Sequence, residues 1–311
     1  MRTSLLVALT LTVLAGCTSG SALEASDPSD NPAATDLTDA LLTERSPTCA
    51  EHAAAYFARA TDVGEGVTYT ANVSVTTDGT TCTIASNAIP NHDFNATGHF
   101  ATPVSEQDQA YTVVVTPAFA AAPTPISLDY DDAVFLNGVK LDLLAAGCYG
   151  VGNGHIGCHD LGTPYRYDPM GTQTFGADEH HAHTQPDGTY HYHGNPKALF
   201  DETDSGVPSP VIGFAADGFP IFGSYFDDGT TVRKAQSSYQ LKTGTRDGGP
   251  GGAYDGTFVD DWAYTEGAGD LDACNGMTVD GVYGYYVTDA YPHVIGCFMG
   301  TPHASFRKGG F

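Results

Sequence analysis

Glu179-His180-His181-Ala182-His183-Thr184-Gln185-Pro186-Asp187-Gly188-Thr189-Tyr190-His191-Tyr192-His193-Gly194 holds five of the chain's twelve histidines. Its centre is turn chemistry: Pro186 presets φ, Asp187 suits the next position, and Gly188 supplies the left-handed residue of a three-residue hairpin loop. Closing the loop with Gln185 opposite Thr189 sets His183 against His191 and His181 against His193. Side chains alternate along a strand and opposed Cβ atoms lie about 4.5–5.5 Å apart, so all four imidazoles share one face. His180, Ala182, Tyr190 and Tyr192 take the other face, which has the aromatic and apolar content needed to pack on a core. A lone histidine is more often a surface or hydrogen-bonded core residue than a ligand. Four on one face favour a metal, because clustered imidazoles repel when protonated and waste burial when neutral.

The hairpin implies a β protein, and the flanking sequence agrees. Val67 to Val75 alternates, Thr77-Asp78-Gly79-Thr80 offers a turn, and Thr81 to Ala85 follows as a second strand. Tyr111 to Thr116, Ala133 to Leu136, Val211 to Phe214, Ile221 to Phe226 and Gly284 to Thr288 are short β-branched or aromatic runs bounded by breakers. With 37 Gly and 18 Pro, the expected class is mostly β, a loop-rich sandwich or irregular barrel. The best helix candidate is Thr48 to Ala60.

At the N-terminus, Arg2 precedes an apolar run from Leu5 to Leu14, followed by Ala15, Gly16 and Cys17. This reads as a signal peptide over residues 1–16. Leu14-Ala15-Gly16-Cys17 resembles the bacterial lipoprotein processing box, which implies a lipid on Cys17 and an anchorage to the outer membrane or cell surface. No stretch is long and apolar enough to be a transmembrane helix. Residues 17–47, rich in Ser, Thr, Ala, Asp and Pro, are expected to be a disordered tether, with residues 48–311 forming one domain. A division at the Ala/Pro stretch Thr116 to Pro125 is the alternative.

Six cysteines remain beyond Cys17, an even number for an oxidising compartment. Neighbours along the chain suggest Cys49 with Cys82, Cys148 with Cys158 and Cys274 with Cys297. There is no Cys-x-x-Cys pair to suggest thiolate metal ligation. The chain has 12 Lys and Arg against 37 Asp and Glu, a formal net charge of −25. That repels nucleic acid and anionic surfaces. The acidic pairs Asp131-Asp132 and Asp227-Asp228, with Asp270 and Asp272, allow structural calcium but lack EF-hand spacing and suit turns as well. Serine hydrolase, P-loop and dinucleotide signatures are absent.

Tyr190-His191-Tyr192-His193 resembles the signature of the YHYH domain family. The likeness extends to Ile89-Pro90-Asn91-His92, Phe135-Leu136-Asn137-Gly138-Val139, Gly213 to Gly223, Ser237-Ser238-Tyr239 and Gly269 to Gly276, spanning about residue 65 to the C-terminus. It implies an exported protein and a common fold unit rather than a particular reaction. The His-x-His run is also similar to the copper-binding strands of multicopper oxidases. No cysteine here is flanked by histidine as a blue-copper centre requires, so that chemistry is not expected.

The expected metal ligands are therefore His181, His183, His191 and His193, with His92 approaching from its loop. Asp217 and Tyr190 are expected to support them. His99, His155 and His159 are weaker loop candidates. Imidazole donors and the affinity order put copper ahead of zinc. Three functions follow: a lipid-anchored metal-binding protein; a metal-dependent oxidoreductase or hydrolase; or a metal-free surface module binding protein or glycan.

Overall fold

The computed structural model describes residues 31, 33–98, 100–171 and 175–309. The expected signal peptide and Cys17 lie outside them, as does His99. A first sheet of five strands runs in sequence order: β1 (Thr35–Asp36), β2 (Ala55–Asp62), β3 (Val67–Thr77), β4 (Thr81–Ser86) and β5 (Gln109–Val114). On β3 the alternation predicted from sequence is realised, with Ala71, Val73 and Val75 buried.

The next strands are β6 (Thr124–Pro125), β7 (Ala133–Phe135), β8 (Lys140–Leu141), β9 (Ala182–Thr184), β10 (Tyr190–Tyr192), β11 (Val211–Ala215), β12 (Pro220–Phe222), β13 (Tyr225–Asp227), β14 (Val232–Lys234), β15 (Tyr239–Leu241), β16 (Trp262–Tyr264), β17 (Gly276–Val279), β18 (Val282–Tyr286) and β19 (Cys297–Phe298). Eight of them form a second, mixed sheet in the order β17-β18-β12-β11-β7-β8-β10-β9. The others pair in twos, β13 with β14, β15 with β16 and β6 with β19. The second sheet is open rather than barrel-closed, with β17 and β9 at its edges. Its central strands β7, β11 and β12 are buried at every residue, which is why they read as short apolar runs instead of alternating ones.

One hydrophobic cluster takes in residues of both sheets, from Leu37 through Val73, Ile84, Phe135 and Phe214 to Phe306. A polar seam joins them as well. Ser86 Oγ on β4 donates to the Gly138 carbonyl at 2.6 Å, and Asn137 Nδ2 donates to Asn91 Oδ1 at 3.2 Å. Gly138, at φ +81°, has Val73 and Ser86 where a Cβ would stand. Here a glycine is what lets the β7–β8 turn approach the first sheet.

Two expectations are corrected. The helix over Thr48 to Ala60 is a single 3₁₀ turn, Cys49–His52, followed by β2. Eight residues of β2 pair in register with β3, and that cross-strand pairing overrides the local preference of an alanine-rich stretch. The C-terminal part of the expected tether, residues 35–42, belongs to the folded unit. Thr35 and Asp36 pair with Tyr56 and Phe57, Leu37 is buried, and Leu42 N donates to the Leu199 carbonyl. The disulfides are Cys49–Cys82, Cys148–Cys158 and Cys274–Cys297.

Candidate metal centre

β9 and β10 form the hairpin expected from Pro186-Asp187-Gly188, pairing Thr184 with Tyr190, His183 with His191 and Ala182 with Tyr192. Gln185 N donates to the Thr189 carbonyl and Gly188 N to the Gln185 carbonyl, both at 2.9 Å, with Gly188 at φ +85°. The turn is held from outside too: Ser105 N donates to the Gly188 carbonyl and Ser105 Oγ to that of Asp187. On the other side of β10 lies parallel β8, which sets Lys140 beside His191. The row Lys140, His191, His183 therefore crosses three strands on one face.

On that face three imidazoles converge. His193 Nε2 is 3.0 Å from both His191 Nε2 and His183 Nε2, and the three ligand atoms lie within 4.8 Å of one another. Their outer nitrogens decide the tautomers. His183 Nδ1 lies 2.8 Å from the Phe175 carbonyl and His191 Nδ1 3.2 Å from that of Thr189. A carbonyl only accepts, so each Nδ1 carries the proton and each Nε2 presents a lone pair. His193 has at most one Nε2 proton to set between two lone pairs, and its own buried Nδ1 has no hydrogen-bond partner. Burial drives the proton affinity of His191 and His193 far down, with the neighbouring imidazoles next in effect, and burial also lowers that of His183.

Neutral rings aiming lone pairs at one point suit a cation. Two metal–nitrogen bonds of about 2.0–2.1 Å at a tetrahedral angle separate the nitrogens by about 3.3 Å, close to the 3.0 Å between His193 Nε2 and each of the other two. The Nδ1–H to carbonyl bonds are the outer contacts that commonly orient such ligands. The His183, His191, His193 cluster can therefore hold a metal ion, and it is the one such group of three or more built from His, Cys, Asp or Glu alone among the described residues.

The remaining expected ligands go elsewhere. His181 keeps its backbone register, its carbonyl accepting from His193 N at 2.8 Å. Its φ of +59° turns the side chain away from the triad, at the end of a turn in which Asp178 accepts from His180 and Ala182. His92 is buried on the opposite face. Its Nδ1 donates to the Asp93 carbonyl, so its Nε2 accepts from Tyr192 Oη at 2.7 Å, and no lone pair is left for a metal. Tyr192 accepts in turn from Asn137 Nδ2. Tyr190 donates to Asp178 Oδ2 at 3.0 Å, and Asp217 accepts from Tyr285 Oη and Gly300 N. Both brace the fold, and neither orients an imidazole of the triad.

A cleft of about 1150 Å³ opens along the triad, and His155 and His159 line it. So does a polar network that sequence reading missed. Lys140 Nζ bonds Asp131 Oδ1 at 3.0 Å and Gln185 Oε1 at 3.1 Å, while Asp142 Oδ2 accepts from Lys308 Nζ at 2.6 Å and from Gln185 Nε2 at 3.0 Å. These residues come from positions 131 to 308, and no local motif links them. Of the acidic groups considered for calcium, three are spent on protein donors: Asp270 takes Arg233 at both oxygens, Asp272 accepts from Cys274 N and Tyr283 Oη, and Asp228 caps a turn.

Residues 110–300, more than half of the chain, match the family model described as YHYH protein. The match begins beyond the Ile89–His92 segment and contains the hairpin. No curated protein and no solved structure matches.

Proposed function

The chain belongs to the YHYH family, and from that premise we propose that it is an extracytoplasmic, lipid-anchored protein that binds copper, with zinc next in preference, through Nε2 of His183, His191 and His193. The observation that carries this reading is the convergence of three Nε2 atoms, from buried His191 and His193 and half-buried His183, whose outer nitrogens are held by backbone carbonyls or left without a competing partner. Imidazole donors and the affinity order favour copper. The leader-like N-terminus ending in Cys17 and the three disulfides support export.

The test is elemental analysis by plasma mass spectrometry of the full chain purified from an oxidising periplasm, beside His191→Asn. About one copper or zinc per chain, lost in the variant, is expected. Absence of metal from both proteins after loading would overturn the reading and leave a disulfide-stapled module that binds protein or glycan.

A second reading, a metal-dependent enzyme, is favoured by the cleft, which all three histidines line. A metal there would supply a Lewis acid or a redox centre to a molecule entering the cleft. Lys140, Asp142 and Lys308 offer charge and proton-transfer groups on the same face, cross-held by Gln185. Turnover of a substrate by the loaded protein, abolished by chelation and by Asp142→Asn with metal retained, would establish it.

A further inference from the structure

His181, turned out of the triad, meets a second set of donors. Its Nδ1 is buried without a hydrogen-bond partner. Met170 Sδ and His181 Nδ1 each lie 3.5 Å from the point where a Cβ on Gly194 would stand. The glycine thus leaves the room that thioether and imidazole share. Close by, His293 Nε2 lies 3.1 Å and 3.3 Å from the two oxygens of buried Asp168, and Asp168 Oδ1 also accepts from Met170 N at 2.9 Å. One carboxylate therefore positions both His293 and Met170. Spending Nε2 on a carboxylate leaves Nδ1 as the donor atom, the arrangement by which proteins commonly orient a metal-binding histidine.

His181 and His293 both adopt left-handed backbone, φ +59° and +68°. Such conformations are uncommon outside glycine and gather at functional sites. The donors are neutral and soft, two imidazoles and a thioether, a set that suits monovalent copper. All three donor residues are partly exposed.

We propose that His181 Nδ1, Met170 Sδ and His293 Nδ1 form a second metal site, separate from the triad and selective for Cu(I). The inference stands whether or not the triad binds metal.

The full chain is titrated anaerobically with Cu(I) against a colorimetric chelator, as wild type, Met170→Leu and His191→Asn/His193→Asn. Met170→Leu is expected to lose one tight equivalent, or at least tenfold in affinity at that site, while the triad variant keeps it. X-ray absorption at the copper edge of selenomethionine-labelled triad variant is expected to show selenium in the first shell. Equal Cu(I) binding by wild type and Met170→Leu overturns the proposal. If Met170→Leu fails to fold, selenium absent from the copper shell of the labelled chain overturns it instead. A loss confined to the triad variant supports the first site and removes the second.

Discussion

At the scale of single residues, the hairpin histidines divide by which of their nitrogens is already used. His183 and His191 give Nδ1 to carbonyls and turn the Nε2 lone pair toward His193, whereas His92 gives Nδ1 to Asp93 and receives Tyr192 at Nε2. His191→Asn is therefore expected to reduce bound metal below about a tenth of an equivalent with the far-ultraviolet spectrum unchanged. His92→Asn should keep the metal and lose stability, about 1–3 kcal/mol for the hydrogen bonds it strands, read by urea midpoint. Metal loss in both variants would put His92 back among the ligands. Gly188→Ala tests the turn: at φ +85° with Ser105 and Pro103 against the added methyl, it should cost about 2 kcal/mol. The turn and the facing of His183 and His191 were legible because Pro-Asp-Gly and period two are local rules. The departure of His181 was not, because it depends on an Asp178-centred turn that breaks the alternation.

At the scale of elements, β10 is the middle of the site, held by β9 on one side and by β8 on the other. The hairpin could be read from sixteen residues, but β8 is two residues long and arrives from some fifty positions upstream. Nothing in Lys140-Leu141 announces that pairing. The same holds for the segment before Ser46, whose composition resembles a linker yet covers the edge of β2 and buries Leu37. Removing the residues up to Arg45 is expected to lower stability by several kcal/mol, since it uncovers that edge and withdraws Leu37 and Leu42 from the core. An unchanged urea midpoint after truncation would show the segment to be dispensable.

Across the whole molecule, neutral histidines are buried in a strongly acidic chain. Burial, and then the neighbouring His180, hold His92 down to about 3, while His181 is held at about 4. Both values lie below the roughly 6.5 of an unfolded histidine, so the unfolded chain binds more protons between those limits and stability falls as pH drops below 6.5. For His92 the loss reaches about 2 kcal/mol at pH 5. It is measured as a smaller drop between pH 7.5 and pH 5 in His92→Asn than in the unmutated protein, both metal-free; equal drops would contradict it. The sequence by itself determined the β class, the hairpin with its register and the YHYH membership, because alternation, turn chemistry and a local motif are properties of neighbouring residues. Only the tertiary structure decided which histidines converge, which carbonyls set their tautomers and which charges share their cleft. Those depend on a left-handed residue at His181 and on strands and loops brought together from distant parts of the chain by burial of a common core.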